Sequence, residues 1–164
     1  MQTQLEYVLL HALKAEMIAF MKSNPDRLEE LIRLVKDTTH PLSHRATWLL
    51  WSVIENDDPH VRPHLRDIIR MLPSRKDNTR RELLKVIQMM TIPKEEQGFL
   101  FDQCVGLWEQ RDKKPSVRFN AFHVLCMITA EEPALFPELE LLTQDHYMET
   151  LSAGIRRSIQ RRLK

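Results

Sequence analysis

Apolar residues recur along this chain at helical spacing, as one apolar residue followed by a cluster three positions on. The pattern runs Leu28 with Leu31, Ile32, Leu34 and Val35, then Leu65 with Ile68, Ile69, Met71 and Leu72, then Phe101 with Cys104, Val105, Leu107 and Trp108. A fourth copy, Leu135 with Leu139, Leu141 and Leu142, has Glu138 in place of the first cluster residue. Successive copies start 37, 36 and 34 residues apart. Second amphipathic segments follow them, marked by Trp48, Leu49 and Trp51, by Leu83, Leu84, Val86 and Ile87, and by Ala121, Phe122, Val124 and Leu125.

Prolines punctuate this pattern. Pro25, Pro41, Pro59, Pro63, Pro73, Pro93, Pro115, Pro133 and Pro137 fall between periodic segments or at their starts, where a fixed φ and a missing N–H cost a helix least. Nine helices are predicted, over residues 3–22, 25–37, 41–56, 60–72, 77–91, 94–110, 115–130, 133–144 and 147–163, and no strand pattern competes. A helix pair this short cannot bury two apolar faces alone, so neighbouring pairs must stack into a continuous core. The expected fold is therefore all-α, an α-α superhelix of about four helix pairs in a single domain spanning residues 1–164. Its repeats cover 25–56, 60–91, 94–130 and 133–164, with residues 1–23 as an N-terminal capping helix and the Arg-rich last helix closing the other end.

Each turn between paired helices carries an Asp, namely Asp37, Asp77, Asp112 and Asp145. Three of the second helices carry an Arg three residues before their first core position, Arg45, Arg80 and Arg118, whereas Ser152 stands in the equivalent register of the fourth. In this the chain resembles the HEAT repeats of the armadillo-like superfamily over about residues 25–163, and short bacterial HEAT-like proteins of similar size. In that family the turn Asp and the helix Arg form a ladder along the stack. The resemblance implies an α-solenoid that serves as an interaction scaffold. An Arg in the first turn of a helix opposes the helix dipole, so its recurrence calls for a compensating charge-assisted hydrogen bond, either to the turn Asp or to loop carbonyls.

Composition narrows the chemistry. The 164 residues hold 24 Lys plus Arg against 23 Asp plus Glu, for a net charge of +1 that argues against a surface built wholly for polyanions. With three glycines, the chain has no phosphate loop, dinucleotide fingerprint or nucleophile elbow. Cys104 and Cys126 lie in apolar runs without zinc spacing and read as core residues of a reducing compartment. Glu6, Lys14 and Glu16 break the apolar stripes of the N-terminal segment, and no run reaches the ~20 apolar residues a membrane span needs. A cytoplasmic protein without membrane contact is expected.

His40 with His44 and His60 with His64 are spaced as in helical metal sites, but Pro41 and Pro63 interrupt both pairs. Capping histidines are the expectation, with neither metal nor other cofactor. Trp108 and Asp112 have a spacing similar to that of a base-facing pair in HEAT-like alkylpurine DNA glycosylases, although the repeat register already accounts for both. From Phe119 to Ile155 there is no Lys or Arg, after which Arg156, Arg157, Arg161, Arg162 and Lys164 follow without an acid. This end reads as a helix cap or as a contact for a partner.

The reading that follows is a non-enzymatic module that binds a protein or peptide on the face formed by the second helices. The alternative is nucleic-acid binding through an Arg-rich face and the basic C-terminal helix, with a DNA glycosylase further behind. Candidate binding residues are Arg45, Arg80, Arg81 and Arg118 on the repeats and Arg156, Arg157, Arg161 and Arg162 at the end. Oligomeric state is open at this level.

Overall fold

The computed structural model describes residues 1–164 as helices joined by short turns, without strands. The chain divides into two compact units, Met1–Thr91 and Ile92–Lys164.

The first unit begins with α1 (Gln4–His11) and α2 (Lys14–Ser23). The single helix expected over 3–22 is broken, because Ala12 and Leu13 are extended, with ψ of 154° and 162°. Polar groups hold the break in place. The Leu13 N–H donates to the Glu16 carboxylate at 2.7 Å, and the Ala12 carbonyl accepts from Arg45 at 3.0 Å. Thr3 and Glu6 close a reciprocal capping box at the start of α1. Residues 1–23 are thus a helix pair in their own right, burying Leu5, Leu9, Met17 and Met21.

Next come α3 (Leu28–Lys36), α4 (Ser43–Val53), α5 (Leu65–Arg70) and α6 (Asp77–Gln88). Tight 3₁₀ turns at Pro25–Arg27, Arg62–His64 and Leu72–Ser74 flank α3 and α5, each with proline in its first two positions. Proline suits these positions because an opening turn leaves its N–H unpaired in any case. The apolar clusters at Leu31–Val35 and Ile68–Leu72 are buried as their spacing requires, apart from Arg33 and Arg70. The second helices α2, α4 and α6 lie side by side, α4 packing against both neighbours, while α3 backs α4 and α5 backs α6.

Between α4 and α5 the chain turns on Asp57, the one non-glycine residue with positive φ, at 53°. Its N–H donates to the Met89 carbonyl at 2.7 Å, its carboxylate accepts from the Thr91 N–H at 3.2 Å, and Arg62 reaches both its carbonyl and its carboxylate. A short polar side chain tolerates this left-handed conformation better than most.

The second unit packs α7 (Lys94–Glu109) against α8 (Pro115–Glu131), with α9 (Phe136–Leu141) on α8. The segment expected as one helix from 147 is two, α10 (Asp145–Met148) and α11 (Ala153–Arg162), separated by buried Leu151 and by Ser152, whose hydroxyl accepts from the Ile155 N–H. In the fourth apolar copy Leu139 and Leu142 are buried and Leu141 is 59% exposed, so that copy is the weakest. Burial raises both thiols, Cys126 to about 11 and Cys104 further still, which leaves neither poised as a nucleophile.

Two predictions follow from the first unit. Asp57→Ala should lower the melting temperature by a few degrees and Asp57→Asn by less, since Asn accepts the left-handed backbone and keeps an acceptor oxygen. Equal melts for Ala and wild type would contradict this account. The second prediction is acid sensitivity. Glu6, Asp37, Asp57 and Asp67 are held below the usual carboxylate range, in that order by the Thr3 N–H, the Thr39 hydroxyl, the Thr91 N–H and Lys36. Burial alone would raise Asp58, but the His60 and Glu55 N–H groups bring it down too. Because the folded state resists protonating these groups, their contribution is complete above about pH 4 and disappears as pH falls through the lowered values. Thermal melts across this range should show a steep loss below about pH 4.

Candidate functional site

The repeated arginines act first on helix ends. Arg80, in the first turn of α6, donates to the carbonyls of Leu72 and Pro73 at 2.9 and 2.8 Å and pairs with Asp77 at 3.0 Å. Arg45 reaches back to the Ala12 carbonyl, at the end of α1. Arg118 is fully buried and donates to the carbonyls of Trp108 at 2.8 Å and Tyr147 at 2.6 Å, and to the Thr150 hydroxyl at 3.0 Å. Its guanidinium also lies 4.5 Å from the centre of the Trp108 ring. Of the three expected Asp–Arg rungs, only Asp77–Arg80 closes. Asp37 bonds Thr39 instead, and Arg118 takes carbonyls and not Asp112.

These contacts sort the candidate binding residues. Arg118 is internal and Arg80 is occupied at its own turn, so neither presents a free cation to a ligand. Arg156, Arg157, Arg161 and Arg162 are exposed on α11. Arg156 and Arg157 border a cleft they share with Asp145 and Glu149, and Arg162 lies over Phe119 at 5.5 Å. Arg45 and Arg81, by contrast, come together in the first unit.

They line a cleft of about 370 Å³ on the second helices, to which α2 contributes Lys14 and Met17, α4 His44, Arg45 and Trp48, and α6 Arg81, Glu82 and Lys85. Trp48 and Trp51, expected as core positions, are only half-buried. They meet edge to face with ring centres 6.0 Å apart. Lys14 Nζ sits 4.7 Å from the centre of Trp48 and Lys85 Nζ 4.6 Å from that of Trp51. Below them Glu82, 2% exposed, accepts from Trp51 Nε1 and from Arg81 Nε, the latter at 2.9 Å, with Lys85 at 3.8 Å. His44 bonds Thr79 at 3.1 Å, and burial holds its pKa below the ordinary histidine value, favouring the neutral ring. Four basic side chains, Lys14, Arg45, Arg81 and Lys85, thus border the cleft with one buried carboxylate.

None of Lys14, His44, Trp48, Glu82 and Lys85 was among the candidate binding residues read from the sequence, where His44 stood only in a metal-spaced pair and Trp48 only as a core position, because they converge only through the side-by-side packing of three helices. A partial signal existed in Arg81 and Lys85, four apart on one helix and flanking Glu82. The other three histidines of the metal-spaced pairs serve as links: His40 joins Glu6 at 3.0 Å, His60 joins Asp58 at 3.1 Å, and His64 bridges Glu29 and Lys36 at 3.1 and 3.2 Å. No three metal-binding side chains gather anywhere, and no helix is long and apolar enough to cross a membrane. Trp108 is fully buried, with its Nε1 on the Leu142 carbonyl at 2.7 Å, while Asp112 is exposed, so this pair does not face a common pocket.

Paired helices at this repeat length, with arginines satisfying helix ends, define an all-α helical-repeat protein of the α-α superhelix class. The sequence profile of the HEAT repeat domain matches residues 1–164, and the chain belongs to that family. No curated protein and no solved structure matches it. HEAT repeats generally mediate protein–protein interaction and are typically non-enzymatic scaffolds.

Removing the buried guanidinium tests its structural role. Arg118→Ala strips a donor from two carbonyls and a hydroxyl and opens a cavity against Trp108, and it should cost about 3 kcal/mol or more. Arg118→Lys should recover only part of this, since an ammonium cannot reproduce the planar fork. Unchanged melting temperatures in both variants would contradict the assignment.

Proposed function

We propose that this protein is a non-enzymatic interaction module, working in the cytoplasm, that binds a protein or peptide on the face formed by its second helices. The observation that carries this reading is the cleft on α2, α4 and α6. Its cations line an open surface, whereas Arg80 and Arg118 are committed to helix ends. Membership of a family whose repeats generally bind proteins supports it.

Nucleic-acid binding through α11 has one observation in its favour, the exposure of Arg156, Arg157, Arg161 and Arg162. Against it stand Asp145 and Glu149, which share the border of that surface and would repel phosphates.

The test is affinity capture from an extract of the native host, with the full chain as bait. Proteins retained by the wild type should be lost when the cleft is reversed in charge by Arg81→Glu with Lys85→Glu. They should persist with Arg161→Glu and Arg162→Glu, provided all baits melt alike. An identical set on wild type and cleft variant would refute the second-helix reading. Retention of nucleic acid, abolished only by the α11 changes, would favour the alternative.

A further inference from the structure

We infer that the cleft on α2, α4 and α6 selects an acidic peptide segment carrying an apolar side chain among its carboxylates, an assignment that rests on the second-helix reading above. The argument begins with its charges. Lys14, Arg45, Arg81 and Lys85 border the cleft against Glu82 alone, and Glu82 is turned inward. Since Glu82 holds Arg81 through Nε, it leaves the two terminal nitrogens of that guanidinium without a protein acceptor. A guanidinium fixed at one edge is preorganised to receive a carboxylate at the other. Glu82 also holds the Trp51 indole through Nε1, and Trp51 meets the wall residue Trp48 edge to face, so one buried carboxylate fixes an anion-binding fork directly and backs the aromatic wall through Trp51.

The aromatic arrangement separates a peptide from a nucleic acid. Binding of single strands relies on open aromatic faces on which bases stack. Here Lys14 lies over Trp48, Lys85 over Trp51, and each indole also meets the other edge to face. What the cleft presents outward is ammonium and guanidinium hydrogen, with Met17 and Trp48 as apolar wall. At about 370 Å³ it stands near the small end of ligand pockets. That volume suits a few side chains and falls short of the multi-nucleotide track that a phosphate backbone follows. An apolar side chain fits beside Met17 and the part of half-buried Trp48 that Lys14 leaves open, with flanking carboxylates on Arg81 and the lysines.

The inference is tested by fluorescence anisotropy on the full chain, using a labelled glutamate-rich peptide with a central leucine. Its glutamine counterpart and a single-stranded oligonucleotide of equal charge serve as comparisons. The glutamate peptide should bind at least about tenfold more tightly than either. Arg81→Gln should weaken it about tenfold, and Arg81→Lys should restore part of the loss. Glu82→Gln is the more searching variant. It removes a negative charge from a basic cleft, so simple electrostatics would tighten an acidic ligand, whereas loss of the hold on Arg81 and Trp51 should weaken it. Weaker binding by Glu82→Gln in a variant that melts like wild type supports the positioning role, and tighter binding overturns it. The inference also falls if the oligonucleotide binds more tightly than the peptide, or if Arg81→Gln has no effect. Should the peptide fail to bind while cleft reversal still strips captured proteins from the bait, the acidic-ligand assignment is wrong and the second-helix reading survives. Failure of both removes the two together.

Discussion

A helix that ends inside a packed stack leaves its last carbonyls without partners, and this fold depends on how those carbonyls are satisfied. The common solution, a glycine in the left-handed conformation, is scarcely available to a chain with three glycines, and none of them has positive φ. Arginines of neighbouring helices take over instead. Arg45 serves the Ala12 carbonyl, Arg80 those of Leu72 and Pro73, and Arg118 those of Trp108 and Tyr147. The negative end of one helix thereby meets a cation in the first turn of another, and the unfavourable placement of that cation in its own dipole is offset. Prolines then restart the chain, because a 3₁₀ turn with proline near its start needs no donor there.

This division of labour is what makes the remaining cations informative. Where an arginine is consumed by carbonyls, its charge is part of the scaffold, as for Arg118 at zero exposure. Arg81, one residue beyond a scaffold arginine, is turned by helical geometry toward a different face and is held there by Glu82. Adjacent residues of like charge thus stand in different surroundings, Arg80 on helix-end carbonyls and Arg81 beside the cleft. The buried Glu82 has a hydrogen-bonded cation and an indole N–H to compensate its desolvation, which is the condition for burying a carboxylate at all.

Much of this was legible in the sequence, for identifiable reasons. The apolar clusters at Leu31–Val35 and Ile68–Leu72 are buried because 3.6-residue periodicity depends on the segment itself. The need for arginine to find carbonyl or carboxylate partners followed from the dipole alone. Features set by other parts of the chain were missed. The break at Ala12–Leu13 is held in part by Arg45, far along the sequence, and the gap before α11, though closed by a local cap at Ser152, includes Leu151, which is buried. Trp48 and Trp51 were placed in the core because size and apolarity favour burial. Their true position, half-buried beneath lysines with Trp48 in the cleft wall, appears only once α2, α4 and α6 are aligned.

The distribution of tryptophans has an optical consequence. Trp48 and Trp51 both lie in the first unit, half-exposed and each under an ammonium, while Trp108 lies alone in the second, fully buried against Phe122 and a guanidinium. The emission of the chain therefore has two sources in different surroundings. One is a pair of half-exposed indoles under ammonium groups, and the other is a dry indole whose signal changes when the packing around Arg118 is lost. Intrinsic fluorescence can in this way report separately on the surroundings of the first unit's indoles and on the integrity of the second unit in a single sample, without a label.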